Sequence, residues 1–99
     1  MPEHVTVSEL NADPHAVAFD DPRTVCLRLD AGGEVAPHTH PDHDVLILVL
    51  DGALSVRLDG EEHSLDEGEA LRFDGEREVA PRAETGATAL VVLCERRET

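Results

Sequence analysis

Apolar residues in this chain come in short runs, and Gly, Pro and Asp residues interrupt them every eight to twelve positions. No segment sustains the 3.6-residue period of an amphipathic helix. Apolar side chains must therefore be buried on strands, and this punctuation predicts an all-β sandwich or barrel. The 99 residues suit a single domain, 1–99, with no internal repeat, low-complexity tract or linker.

The expected strands follow from the runs themselves. Val5–Val7 and Ala16–Phe19 come first, the second bounded by Asp13-Pro14 and Asp21-Pro22. Thr24–Leu29 alternates, placing Val25, Leu27 and Leu29 on one face. Gly32-Gly33 turns the chain into Glu34–His40. Val45–Leu50 is six consecutive apolar residues, the mark of a strand buried on both faces or lining an interior. Asp51-Gly52 carries a type I′ hairpin signal, and Ala53–Leu58 returns with Leu54, Val56 and Leu58 inward. Asp59-Gly60 is a second hairpin signal, leading to Glu61–Leu65. Asp66-Glu67-Gly68 turns into Glu69–Phe73, Asp74-Gly75 turns toward Val79, and Thr88–Cys94 closes the pattern before a polar tail, 95–99. Eight to ten strands are expected. Phe19 and Phe73 read as core fillers, and Cys26 and Cys94, both in apolar runs, as buried free thiols.

Chemistry concentrates in one stretch. His38 and His40 follow the Gly-Gly turn and precede the apolar run, with His43 three residues on. Residues at i and i+2 of a strand share a face, with Cα atoms about 6.6 Å apart, so the two imidazoles can converge on one ion or ligand. His4, His15 and His63 stand outside any motif and read as surface or loop residues.

Gly32, five intervening residues, His38-Thr39-His40 and a closing Gly52 resemble the first motif of the cupin superfamily, over roughly residues 20–95. The resemblance implies a double-stranded β-helix, or jelly-roll, barrel. It also implies a divalent transition metal (Zn, Fe, Mn, Ni or Cu) held in the interior by His38 and His40. Two departures stand out. The position of the family's ligand Glu holds Val45, and that of the second-motif His holds Val79. His43 is preferred over Asp44 as the third ligand, because a third imidazole completes a facial set. A turn at Pro41-Asp42 must then reset the strand phase. Glu76 and Glu78 lie near the missing fourth position, and Glu78 is the candidate acid/base.

Two functions stay open on these residues. One is a metal-dependent enzyme of dioxygenase or isomerase type, with Leu46, Leu48, Leu54 and Val56 as apolar walls. The other is a non-catalytic small-ligand-binding barrel with a degenerate or metal-free site. The alternating charges of Arg72–Glu78 read as a solvated hairpin; the alternative places Arg72 or Arg77 at the barrel mouth to clamp a ligand carboxylate, since guanidinium offers a bidentate fork. No hydrolase triad, P-loop or dinucleotide fingerprint is present.

The charge narrows the partners. Twenty-two acidic residues face eight basic ones, all arginine, for a net charge of −14. Such a field repels nucleic acid and anionic membranes, so a small molecule is the expected partner. Dense carboxylates without lysine further predict a salt-adapted, halophilic protein. The start, Met1-Pro2-Glu3-His4, has neither the basic region nor the apolar run of a signal peptide, which predicts a cytoplasmic location. A homodimer is expected through the Val5–Phe19 segment, which has no obvious partner in a minimal barrel.

Overall fold

A computed structural model describes residues 2–12 and 14–96. Seven strands are present: β1 (His15–Asp20), β2 (Arg23–Leu29), β3 (His43–Leu58), β4 (Glu61–Asp66), β5 (Ala70–Asp74), β6 (Val79–Arg82) and β7 (Ala87–Glu95). All pair antiparallel. The order β1-β2-β7-β3-β4 forms the main path, with β5 and β6 also pairing with β3. The all-β jelly-roll expectation is met. The expected Asp13-Pro14 boundary and the polar tail fall partly on residues 13 and 97–99, outside the described residues.

Strand β3 organises the molecule. It runs for 16 residues and serves two sheets. Its first half lies between β7 and β5, and its second half between β4 and β6. The expected hairpin at Asp51-Gly52 is therefore absent. There the β3–β7 register shifts between Val49 and Asp51, a bulge that bends one continuous strand from one sheet into the other. Gly52 is needed at that bend, because its φ is +78° and a Cβ would collide with the carbonyl oxygen of Gly86. The turn at Asp59-Gly60 does form, with both residues at positive φ (49° and 86°), as a type I′ hairpin requires.

Val5–Val7 is not a strand. A short 3-10 turn spans Val7–Glu9, and the Arg28 guanidinium donates to the carbonyls of Val7 and Leu10 at 3.1 and 3.0 Å. The expected Glu34–His40 strand is also absent, reduced to isolated bridges at Glu34 and His38; with these two segments lost and two expected strands fused into β3, seven strands among the described residues replace the eight to ten expected. The partner of β1 is β2 of the same chain. Cys26 is buried as expected, whereas Cys94 is exposed; both are free. Among the described residues no helix is long and apolar enough to cross a membrane.

The core is continuous along β3. Leu54, Val56, Leu58, Leu65 and Val79 fill one end, while Val45, Ile47, Leu27 and Phe73 belong to the other. Cross-strand partners point to the same face, so the register defines rows across the first sheet. One row is Val17–Val25–Val91–Ile47–Leu71 and the next is Arg23–Leu93–Val45–Phe73.

Candidate functional site

The His38–His43 segment has little regular pairing of its own and is held by neighbouring backbone. His38 exchanges two hydrogen bonds with Val79, its N–H to Val79 O at 3.1 Å and Val79 N–H to its carbonyl at 2.8 Å. His40 N–H donates to Gly75 O at 2.7 Å, and Gly75 N–H to His43 O at 2.8 Å. Gly75 is buried against this loop, and a Cβ there would strike the carbonyl oxygens of His40 and His43. Pro41 and Asp42 form the expected turn, with Asp42 at φ 65° and His43 N–H reaching back to His40 O at 3.3 Å. Glu76 steadies it by accepting from Asp42 N–H at 2.7 Å.

This places His38 and His40 side by side, their ring centroids 4.7 Å apart and their planes at 88°. Both line a cavity of about 320 Å³ whose remaining wall is mostly apolar, including Val25, Val35, Ile47, Val79 and Leu93. His43 lies two residues before Val45 on β3 and shares its face, at the rim rather than on the cavity wall. Partial burial, followed by repulsion from His38 and His43, holds the His40 imidazole below its ordinary value of 6.5.

The hydrogen bonds of these rings matter for what they can bind. Nδ1 of His38 lies 2.8 Å from Ala36 O, and Nδ1 of His43 lies 2.8 Å from Pro41 O. A carbonyl only accepts, so Nδ1 carries the proton and Nε2 keeps its lone pair. Outer partners of this kind set the tautomer of metal-bound histidine. The donor set suits an open imidazole site for a divalent transition metal, not a closed four-ligand one. Val45 and Val79 are 1% and 3% exposed and offer only methyl groups. Among the described residues no three His, Cys, Asp or Glu side chains already converge on one point.

The remaining candidates lie elsewhere. Asp44 pairs with Arg96, which also bridges to Asp74 on the outside of the barrel. Glu78 is exposed and off the cavity wall; its backbone N–H donates to Asp59 Oδ1 at 2.9 Å, and it is the neighbouring Val79 that faces inward. Arg72 is exposed beside Leu46, and Arg77 pairs with Asp59 at 3.0 Å, as a solvated hairpin requires; the alternative clamp role is not met, since neither side chain lines the cavity. Val45 and Ile47, rather than Leu46 and Leu48, form the β3 wall, and Leu54 and Val56 pack at the filled end. Two polar wall residues escape the sequence reading, His15 and Arg23. The signal is present: Arg23 shares the parity of Val25, Leu27 and Leu29.

The family model for the cupin domain matches residues 25–94. The chain belongs to the cupin family. Among solved structures, this cupin resembles TT1209 from Thermus thermophilus at 26% identity and a TM-score of 0.81, covering 97% of this chain and 100% of that one. KdgF from Halomonas sp. is 24% identical with a TM-score of 0.80, over 99% and 96% of the two chains. The cupin domain of Cnp3 from Schizosaccharomyces pombe shares 10% identity but reaches a TM-score of 0.83, over 94% and 74%. No curated protein matches the chain. Membership supports a cupin-type metal-binding or ligand-binding role.

Proposed function

We propose that this cupin binds a small organic molecule in its barrel cavity beside a divalent transition metal held by the Nε2 atoms of His38, His40 and His43. The observation that carries the reading is the placement of two imidazoles side by side on the wall of an otherwise apolar cavity. Specific small-molecule sites have this composition, an apolar enclosure with a few convergent polar groups. The Nδ1 contacts of His38 and His43 with backbone carbonyls turn Nε2 outward as the free nitrogen, and the depressed basicity of His40 favours the neutral ring a metal needs. A bound ion supplies Lewis-acid polarisation of a ligand oxygen. With their Nε2 atoms on the ion, His38 and His40 would fix where it sits against the ligand, and the valine-rich wall excludes water. We assign Glu78 no step.

Elemental analysis of protein purified without chelator tests the reading. About one transition-metal ion per chain is expected, falling to trace levels in the His38→Ala, His40→Ala double variant. A metal-free native protein would overturn the metal assignment. It would favour a second reading, a metal-free ligand-binding barrel, which the buried Val45 and Val79 at the family's other ligand positions support. The acidic surface supports a salt-adapted setting, in which stability falls below about 0.5 M salt as screening of the carboxylates weakens; full stability in dilute buffer would count against it.

A further inference from the structure

The geometry points to Arg23 as a carboxylate anchor, making the ligand of this cavity a small monocarboxylate with an apolar body. The inference rests on the ligand-pocket reading above and names the chemical class of the ligand. Arg23 begins β2 and lines the cavity, and among the described residues it makes no ion pair. Its hairpin partner Asp20 does not reach it within bonding distance, whereas Arg77 and Arg96 are both engaged by aspartates. Arg28, Arg57, Arg72 and Arg82 likewise make no ion pair among the described residues, so what sets Arg23 apart is its place on the wall of the cavity that His38 and His40 also line.

The row across the sheet says what lies on the wall beside the anchor. Arg23 neighbours Leu93, and Leu93 neighbours Val45. Two strand spacings separate the backbones of Arg23 and Val45 by roughly 10 Å. Valine and leucine side chains fill that interval, with Val17, Val25 and Val91 in the row beneath. A ring-sized or branched aliphatic body fits a 320 Å³ space of this lining. Guanidinium matches one carboxylate through two parallel N–H···O bonds. A single such fork suits one carboxylate, and the strongly negative surface opposes a phosphate dianion. His15, also on the wall, offers a second nitrogen on the Arg23 side.

Calorimetric titration of the full chain with benzoate and its neutral isostere benzamide tests the assignment, on metal-replete and on chelator-treated protein. Benzoate is expected to bind about 10-fold more tightly than benzamide, the scale of a charge-assisted hydrogen-bond pair. Arg23→Gln should erase that preference while leaving benzamide unchanged, and Arg23→Lys should restore only part of it. Arg23 is exposed at the start of its strand, so both variants should keep the fold; should either fail, the preference in the unaltered chain still decides. Equal binding of the two probes, or a preference that survives Arg23→Gln, overturns the anchor while the pocket reading stands. Inorganic phosphate competing as strongly as benzoate overturns the carboxylate assignment. Binding of neither probe at millimolar concentration overturns anchor and pocket together, whatever the metal content.

Discussion

Upstream of Gly52, strand β3 turns Val45 and Ile47 toward a cavity of about 320 Å³ lined by histidines, an arginine and methyl groups. Downstream, the same strand turns Leu54, Val56 and Leu58 into a filled end closed by Leu65, with Val79 at the boundary between the two. The residue types are nearly the same in the two halves; their neighbours differ. At the filled end the second sheet supplies side chains from β4 and β6 on either side of β3. At the hollow end the facing wall is the His38–His40 segment, which carries one isolated bridge instead of a strand. The hollow thus arises where regular structure gives way to a loop carrying imidazoles, so the void and its chemistry share one cause.

Substitutions at the two ends should differ in the same sense. The largest effect is expected for Leu54→Ala at the filled end, a loss of about 2–5 kcal/mol because the surroundings cannot collapse into the space; a loss below about 1 kcal/mol by chemical denaturation would break the contrast. Gly75→Ala should cost about 1–3 kcal/mol through overpacking against the His40 and His43 carbonyls. It should also weaken metal retention, because it displaces the loop that carries the imidazoles, and elemental analysis of the folded variant checks this. Val25→Ala, on the cavity wall, removes methyl groups that already face space and should cost about 1 kcal/mol or less.

The smallest effects concern acid. Asp59, at the turn by the filled end, is held below its ordinary value of 3.8 by the Glu78 backbone N–H and then by Arg77. Asp74, at the rim of the hollow end, is lowered chiefly by the backbone N–H of Glu76, with Arg96 adding to it. A depressed carboxyl stabilises the fold above its unfolded value, and that contribution is lost as pH falls through the folded one. Melting temperatures should therefore drop below about pH 3.8, and Asp59→Asn and Asp74→Asn should each flatten the decline slightly. Both groups are exposed and screened, so an effect larger than that of Val25→Ala would overturn this ranking.

Legibility in the sequence follows the same division. Alternation along Ala53–Leu58 and the Asp59-Gly60 turn reveal the filled end, because one face there is buried and the other wet. Val45–Leu50 carries no alternation, so its inward residues cannot be told from Leu46 and Leu48, and the expected wall falls on the wrong parity. Asp51-Gly52 has the residues of a hairpin turn, yet here the positive φ of Gly52 serves a bulge, a distinction set by the approach of Gly86 from far along the chain. The His38–His40 pair is legible as a motif and lies together as expected. The alternating charges around Arg72 and Arg77 read correctly as a solvated hairpin, whereas Arg23 goes unnoticed although its parity is readable.

Strand β1 lies at the end of the sheet path and has β2 as its single neighbour. It nevertheless contributes His15 and Val17 to the cavity wall, and Val17 is 46% exposed. One flank of the enclosure is thus a ribbon tethered along one edge only, and the amides of that ribbon should exchange with deuterium sooner than those of β7, which is paired on both edges. Anything lodged against Val17 slows that exchange, so isotope uptake along residues 15–20 becomes a gauge of occupancy that works even when the guest is unidentified.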